Sequence, residues 1–276
     1  MFELPEFITL SRQINAELVG KRVLDGSLGN SPHKFVWYNR TPAEFTQLVK
    51  GKTVGESYTR GKWLFIPLLP GYVLVFGECG GRLLYHPPGE RLPAKYHLHL
   101  AFEDGSQLSA MTQMWGAMEL YEAGEELQRQ YIKGMRITPV EPGFTQEYFT
   151  NLVAELCAGP KRSVKSLLTQ DQLMPGIGNS LAQDILFTAG LHPRHPLEGL
   201  SAEEQHSLYK AILQVVQQVI DQGGRNDEYD LYNHPGGYQR VMDSRAAGRP
   251  CPRCGETVQK MQYLGGACYF CPVCQV

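Results

Sequence analysis

Four of the seven cysteines lie in one stretch, "CPRCGETVQKMQYLGGACYFCPVC": Cys251-x2-Cys254, sixteen residues, then Cys271-x2-Cys274. A Cys-x2-Cys turn points two thiolates at one place, and two such turns complete a tetrahedral zinc site. Protein fills all four positions, so the expected cofactor is one structural zinc ion. A terminal segment this short buries little core, and metal binding would supply most of its folding energy. Cys268 is a spare thiol that could compete with Cys271. Disulfides are the weaker reading, because Cys79 and Cys157 are isolated and clustered thiols fit metal binding in a reducing compartment.

A second stretch, "MPGIGNSLAQDILFTAGLHP", runs a Gly-x-Gly turn into a helix at Asn179. Such a turn can point backbone N–H groups, Gly178 among them, at an anion, and the asparagine amide adds a donor suited to a DNA phosphate. The same glycines also suit an ordinary helix connection. The net charge of -2 argues mildly against a nucleic-acid partner, but charge is locally uneven. From Gly236 to Val276 five basic residues stand against two acidic ones, and Lys161, Arg162 and Lys165 form a second basic cluster. Either could face DNA, and either could be plain solvated surface.

These residues need elements to carry them. An opening helix from Pro5 to about Val19 places Phe7, Leu10, Ile14 and Leu18 at helical spacing. Strand patterns follow to about residue 125. "KWLFIPLL" and "YVLVFGE" flank Pro70-Gly71, and Leu98, Leu100 and Phe102 alternate before an Asp104-Gly105 turn. This predicts an antiparallel sheet, as a sandwich, with His97 and His99 on its solvent side. From Thr145 the pattern is helical: "TQEYFTNLVAEL", "SVKSLLTQ", "NSLAQDILFTAG" stopped by Gly190, and a helix opened by a Ser201/Glu204 capping box and closed at Gly223-Gly224. "RNDEYDLYNHPGGYQR" reads as a polar loop. No apolar run approaches the roughly twenty residues of a membrane span, and no secretory signal opens the chain, so a cytoplasmic protein without membrane contact is expected.

The order of "ELPE" near the start, "TRGK" at Thr59 to Lys62, "PGIGN" opening a helix and a C-terminal four-cysteine finger resembles the formamidopyrimidine-DNA glycosylase and endonuclease VIII family. The resemblance spans essentially the whole chain. It implies an α+β multidomain protein: an N-terminal antiparallel β-sandwich (1–130), a helix-two-turn-helix domain (131–245) and a zinc finger (246–276), with DNA in the cleft between the lobes. Family members flip out an oxidised base, cleave its glycosidic bond and cut the strand by β-elimination through a Schiff base.

Carried over residue by residue, the family's pattern is partly kept. Its amine is that of an N-terminal proline exposed when methionine is removed, and here Phe2 stands at that position. Methionine removal generally needs a small second residue, so Met1 is expected to stay, which displaces the amine by one residue and makes it primary. Glu3 matches the family's acid and base, and Glu6 its second acid. Lys62 matches a phosphate-contacting lysine, with Arg60 beside it. As a replacement nucleophile Lys62 is disfavoured, since an ordinary lysine is neutral in roughly one molecule in two thousand at pH 7. Glu78, Gln113 and Trp115 are the nearest equivalents of the side chains that fill the hole left by a flipped base; Gly266 stands where a finger arginine is usual, and Asn179 is kept.

Candidate catalytic residues are therefore Met1, Glu3, Glu6 and Lys62. Candidate DNA contacts are Arg60, Lys62, Gln113, Trp115, Lys161, Lys165, Gly178 and Asn179. The readings are a base-excision-repair glycosylase/lyase, a non-catalytic module that binds abasic or distorted duplex DNA, and a zinc-ribbon adaptor for protein or RNA. A monomer is expected.

Overall fold

The structure, a computed structural model, describes residues 1–31 and 34–276. The chain divides into two compact units, Met1–Gly134 with Val219–Tyr238, and Met135–Gln218 with Gln239–Val276.

The first unit opens with helix α1 (Leu4–Glu17). Pro5 lies in its first turn, where the missing N–H costs nothing, and Glu3 and Glu6 close a capping box. Strands β1 (Val23–Ser27) and β2 (Val36–Trp37), helix α2 (Pro42–Val49), and strands β3 (Thr53–Val54), β4 (Tyr58–Arg60), β5 (Trp63–Leu69), β6 (Tyr72–Gly77), β7 (Gly81–His86), β8 (Leu98–Phe102), β9 (Gln107–Thr112) and β10 (Gly116–Glu122) follow. They make two sheets, ordered β1-β8-β9-β7 and β2-β10-β6-β5-β3, with β4 attached to β5. The pairing is antiparallel except for the short parallel match of β2 with β10. One apolar cluster draws on both sheets: Leu83, Leu98, Leu100 and Leu108 come from one, and Leu64, Ile66, Leu74, Phe76 and Leu120 from the other. Phe7, Leu10, Ile14 and Leu18 from the opening helix join the same cluster. This is the sandwich the alternation predicts. His97 departs from expectation: it is buried, not on the solvent side, because its Nδ1 accepts the Thr112 N–H at 3.1 Å. His99 is half-buried and bonded to Gln107.

In the second unit, α3 (Gln146–Cys157) is capped by Thr145, α4 (Val164–Thr169) by Ser163, and α5 (Asn179–Ala189) stops at Gly190 in the left-handed conformation. Helix α6 (Ala202–Asp221) starts at the expected Ser201/Glu204 box and crosses the division between the units. The tail forms a hairpin of β11 (Gln259–Tyr263) and β12 (Gly266–Phe270). It is fixed to α5 by a small core of Phe187, Met242, Val258 and Tyr269, and by Gln183, which accepts the Tyr269 N–H at 2.7 Å.

Candidate active site and metal centre

The N-terminus is built into the first unit rather than trailing from it. Phe2 is 2% exposed, its ring packs edge-on to Phe7 at 5.6 Å, and its N–H donates to the Cys79 carbonyl at 2.9 Å. The phenyl ring is thus a core residue of the sandwich, and it leaves the backbone of Met1 at the edge of that core. The fit is close: a Cβ on Gly80 would run into Met1 Cα. Gly80 also accepts hydrogen bonds from the Gln113 N–H at 2.9 Å and the Thr112 hydroxyl at 3.0 Å. Exposed Gln113 and Trp115 therefore extend from a loop tied directly to the N-terminal residue's neighbour.

Charge gathers behind this edge. The loop after α6, which reads as merely polar in sequence, turns back and inserts Arg225, 1% exposed. Its Nε and Nη2 donate to the two Glu6 oxygens at 2.9 and 3.0 Å, and Nη2 also donates to the Met1 carbonyl at 2.7 Å. Glu3 lies 3.5 Å from Nη1. Three residues on, Glu228 is 3.7 Å from Nη2 and pairs directly with the α-ammonium of Met1. Gly236 permits this turn, since a Cβ there would strike the Gly224 carbonyl. The cluster is thus Glu3, Glu6 and Glu228 against Arg225 and the α-ammonium.

Burial opposes charge on Glu6, but the Arg225 charge and hydrogen bonds prevail and hold its carboxyl below the ordinary value. Burial likewise opposes the guanidinium, yet Glu6 and Glu3 keep it firmly protonated. Glu228 goes the other way: burial raises its carboxyl, and the pull of the α-ammonium and Arg225 does not fully reverse this. Cys79, also beside this edge, is pushed up to about 12 by burial and offers no thiolate near neutral pH.

Other expected site residues are more dispersed. Lys62 pairs with Glu78 at 3.5 Å across the β5-β6 hairpin, and Arg60 is half-buried at the end of β4. In the second unit Gly178 caps α5 and Asn179 is exposed, its amide donating to the Ala267 carbonyl of the finger hairpin at 3.2 Å. Gly266 lies against Asn179, where a side chain would be crowded. Lys161 is exposed, whereas Lys165 is 1% exposed and its Nζ donates to the Tyr263 carbonyl at 2.7 Å, binding α4 to the finger. Sequence reasoning missed Arg225 and Glu228. Their partners lie more than 200 positions away, and the local string "RNDE" carries no periodicity or spacing that announces them.

At the tail, the ligand atoms of Cys251, Cys254, Cys271 and Cys274 all lie within 4.8 Å of one another. The Cys251–Cys274 and Cys254–Cys271 sulfurs are 3.9 and 3.4 Å apart. A tetrahedral ion with bonds of about 2.3 Å needs sulfurs about 3.8 Å apart, so these residues fit a four-thiolate metal. The Arg253 and Cys274 N–H groups point at Cys251 and Cys271 Sγ, as tight knuckles require. Cys268 is buried in β12 outside the set.

Residues 1–113 match the model of the formamidopyrimidine-DNA glycosylase N-terminal domain, and residues 138–229 that of the formamidopyrimidine-DNA glycosylase H2TH domain. Formamidopyrimidine-DNA glycosylase of Desulfitobacterium hafniense (strain DSM 10664 / DCB-2) is 29% identical over 283 aligned residues that cover 100% of both chains. The Lactococcus lactis enzyme in complex with abasic-site DNA superposes with a TM-score of 0.85 at 24% identity, with 99% of each chain covered. A mutant of it bound to Fapy-dG-containing DNA gives 0.85 at 25% identity with the same coverage. The two domains, their order and the four-cysteine finger define a fold of the DNA-glycosylase type. The chain belongs to the formamidopyrimidine-DNA glycosylase and endonuclease VIII family.

Proposed function

We propose that this chain is a base-excision-repair protein that binds duplex DNA at damaged or abasic positions and attacks C1′ of the exposed sugar with the α-amine of Met1. The observation that carries the reading is the α-amine itself, held by Glu228 at the edge of the sandwich beside Glu3, Glu6 and Arg225. Amine attack gives a Schiff base, after which loss of a C2′ proton expels the 3′ phosphate. Glu3, close to the amine in sequence and structure, is suited to the proton transfers at the sugar. Lys62, paired with Glu78, serves better as a phosphate contact, with Arg60. Gln113 and Trp115 are the side chains available to enter a base stack. Gly178, Asn179 and Lys161 offer donors to the phosphate backbone. Lys165, tied to Tyr263, contributes by fixing the finger rather than by direct contact. Cys251, Cys254, Cys271 and Cys274 hold one structural zinc.

A second reading, a non-catalytic binder of abasic DNA, is favoured by one feature: Phe2 occupies the position of the family's reactive proline and its ring is locked in the core. Borohydride trapping on a duplex with one abasic site separates the two. The expected result is a covalent adduct whose peptide map places the sugar on Met1. Tight binding with no adduct would establish the binder instead, and an adduct on Lys62 would move the nucleophile there.

A further inference from the structure

Five charged groups surround the amine edge: the carboxyls of Glu3, Glu6 and Glu228, the Arg225 guanidinium and the α-ammonium of Met1. Three potential negative charges face two positive ones. Glu6 is matched by two hydrogen bonds from the guanidinium, and Glu3 faces the same group. Glu228 is the odd carboxyl, and it touches the amine nitrogen directly. An α-ammonium has no lone pair, so it must give up a proton before it attacks any carbon.

We infer that Glu228 is the catalytic base that takes this proton and then returns it, a role resting on the amine-attack reading above. The balance closes. The ammonium proton passes to the Glu228 carboxylate, and the free amine adds to the C1′ aldehyde of an abasic sugar to give a carbinolamine. Glu228 then donates the same proton to the departing hydroxyl, which leaves as water, and the iminium forms. No outside acid, oxidant or reductant is needed. The surroundings suit a group that must hold a proton for a time. Arg225 lies 3.7 Å away and is committed to Glu6 and the Met1 carbonyl, while Glu6 brings negative charge that favours the protonated carboxyl, and neutral Cys79 adds none. Burial raises Glu228 in the same direction. The backbone holds the carboxyl in place: the Glu228 N–H donates to the Arg225 carbonyl at 3.0 Å, and the Glu228 carbonyl accepts from Gly236 at 3.1 Å.

The test compares wild type, Glu228→Gln and Glu228→Asp in single-turnover borohydride trapping on abasic duplex, with equilibrium binding to a duplex carrying a tetrahydrofuran analogue that has no aldehyde. At about pH 6.5 Glu228→Gln is expected to trap at least roughly ten-fold more slowly, with the deficit shrinking toward about pH 9, where an α-amine loses its proton to solvent unaided. Glu228→Asp should retain part of the rate, and all three proteins should bind the analogue within about two-fold of one another. An unchanged rate in Glu228→Gln, or a deficit equal at every pH and matched by weakened analogue binding, overturns the role of Glu228 while leaving amine attack standing. Adduct on Lys62 also overturns it and keeps the enzyme. Wild-type protein that binds the analogue and traps nothing removes amine attack and this inference together.

Discussion

The four-cysteine finger and the amine edge are both clusters of titratable groups, but they are assembled by opposite means. Each half of the finger is made by a four-residue turn, and the chain needs only one hairpin, β11-β12, to bring the halves together. At the amine edge, Glu3 and Glu6 sit at one end of the chain and Arg225 and Glu228 more than 200 positions away, joined only when the loop after α6 folds back. The finger's geometry is set by its ligands; the edge's geometry is set by the core beneath it, with Phe2 as the pin. Local chemistry can be read as a pattern, while chemistry created by tertiary return cannot.

If that contrast holds, stripping the metal should have the largest effect and the most confined one. Structural zinc contributes on the order of 10 kcal/mol or more to comparable short fingers. Chelation is expected to abolish amide protection throughout β11 and β12 in hydrogen exchange, with the sandwich amides of β5, β6 and β10 unchanged. Metal analysis should find one ion per chain beforehand. Loss of protection in the sandwich as well would mean that the two clusters are not independent.

The same contrast explains how much of the molecule was legible in the sequence. Alternation in β5, β6, β8 and β9, the Ser201/Glu204 box and the Gly190 stop are local signals, and the elements formed where the signals put them. His97 escapes the sequence reading because strand alternation says nothing about which polar side chain a neighbouring strand will satisfy; Thr112, at the end of β9, supplies the donor that makes burial tolerable. Phe2 looks like a missing catalytic residue in a motif comparison. In space it is a core residue, and its ring fixes where the preceding amine emerges. Lys165 belongs to a basic run in the sequence but spends its charge on a backbone carbonyl of the finger.

Arg225→Met tests the amine edge next. The methionine fills similar volume but leaves Glu3, Glu6 and Glu228 with only the α-ammonium among the cations of the cluster. Removing one partner from a buried charge cluster costs about 3–5 kcal/mol. All three tryptophans, Trp37, Trp63 and Trp115, lie in the first unit, so fluorescence-detected urea unfolding reports on that unit alone. The midpoint is expected to fall accordingly, with zinc content unchanged. A loss under about 1 kcal/mol would show that the guanidinium is replaceable, as solvated surface pairs are.

The smallest effect is also the one that separates the members of the cluster from each other. Glu6 is held below the ordinary carboxylate value by Arg225, so the unfolded chain binds its proton more readily than the folded one. Its stabilising contribution is complete above the unfolded value, near 4.5, and is lost as pH falls through the lower folded value. Glu228 has the opposite sign: burial raises it, so its contribution is present below 4.5 and declines as pH climbs from there through the raised folded value. In Glu6→Gln the tryptophan-detected stability should therefore be lower than wild type at neutral pH, with the two curves converging only below about pH 4.5, by at most about 1.4 kcal/mol per pH unit for one proton. Acid also protonates the finger thiolates, but that loss is common to both proteins and cancels in their difference. Convergence above pH 4.5 instead would assign the titration to Glu228 and reverse the division of labour between the two acids that flank Arg225.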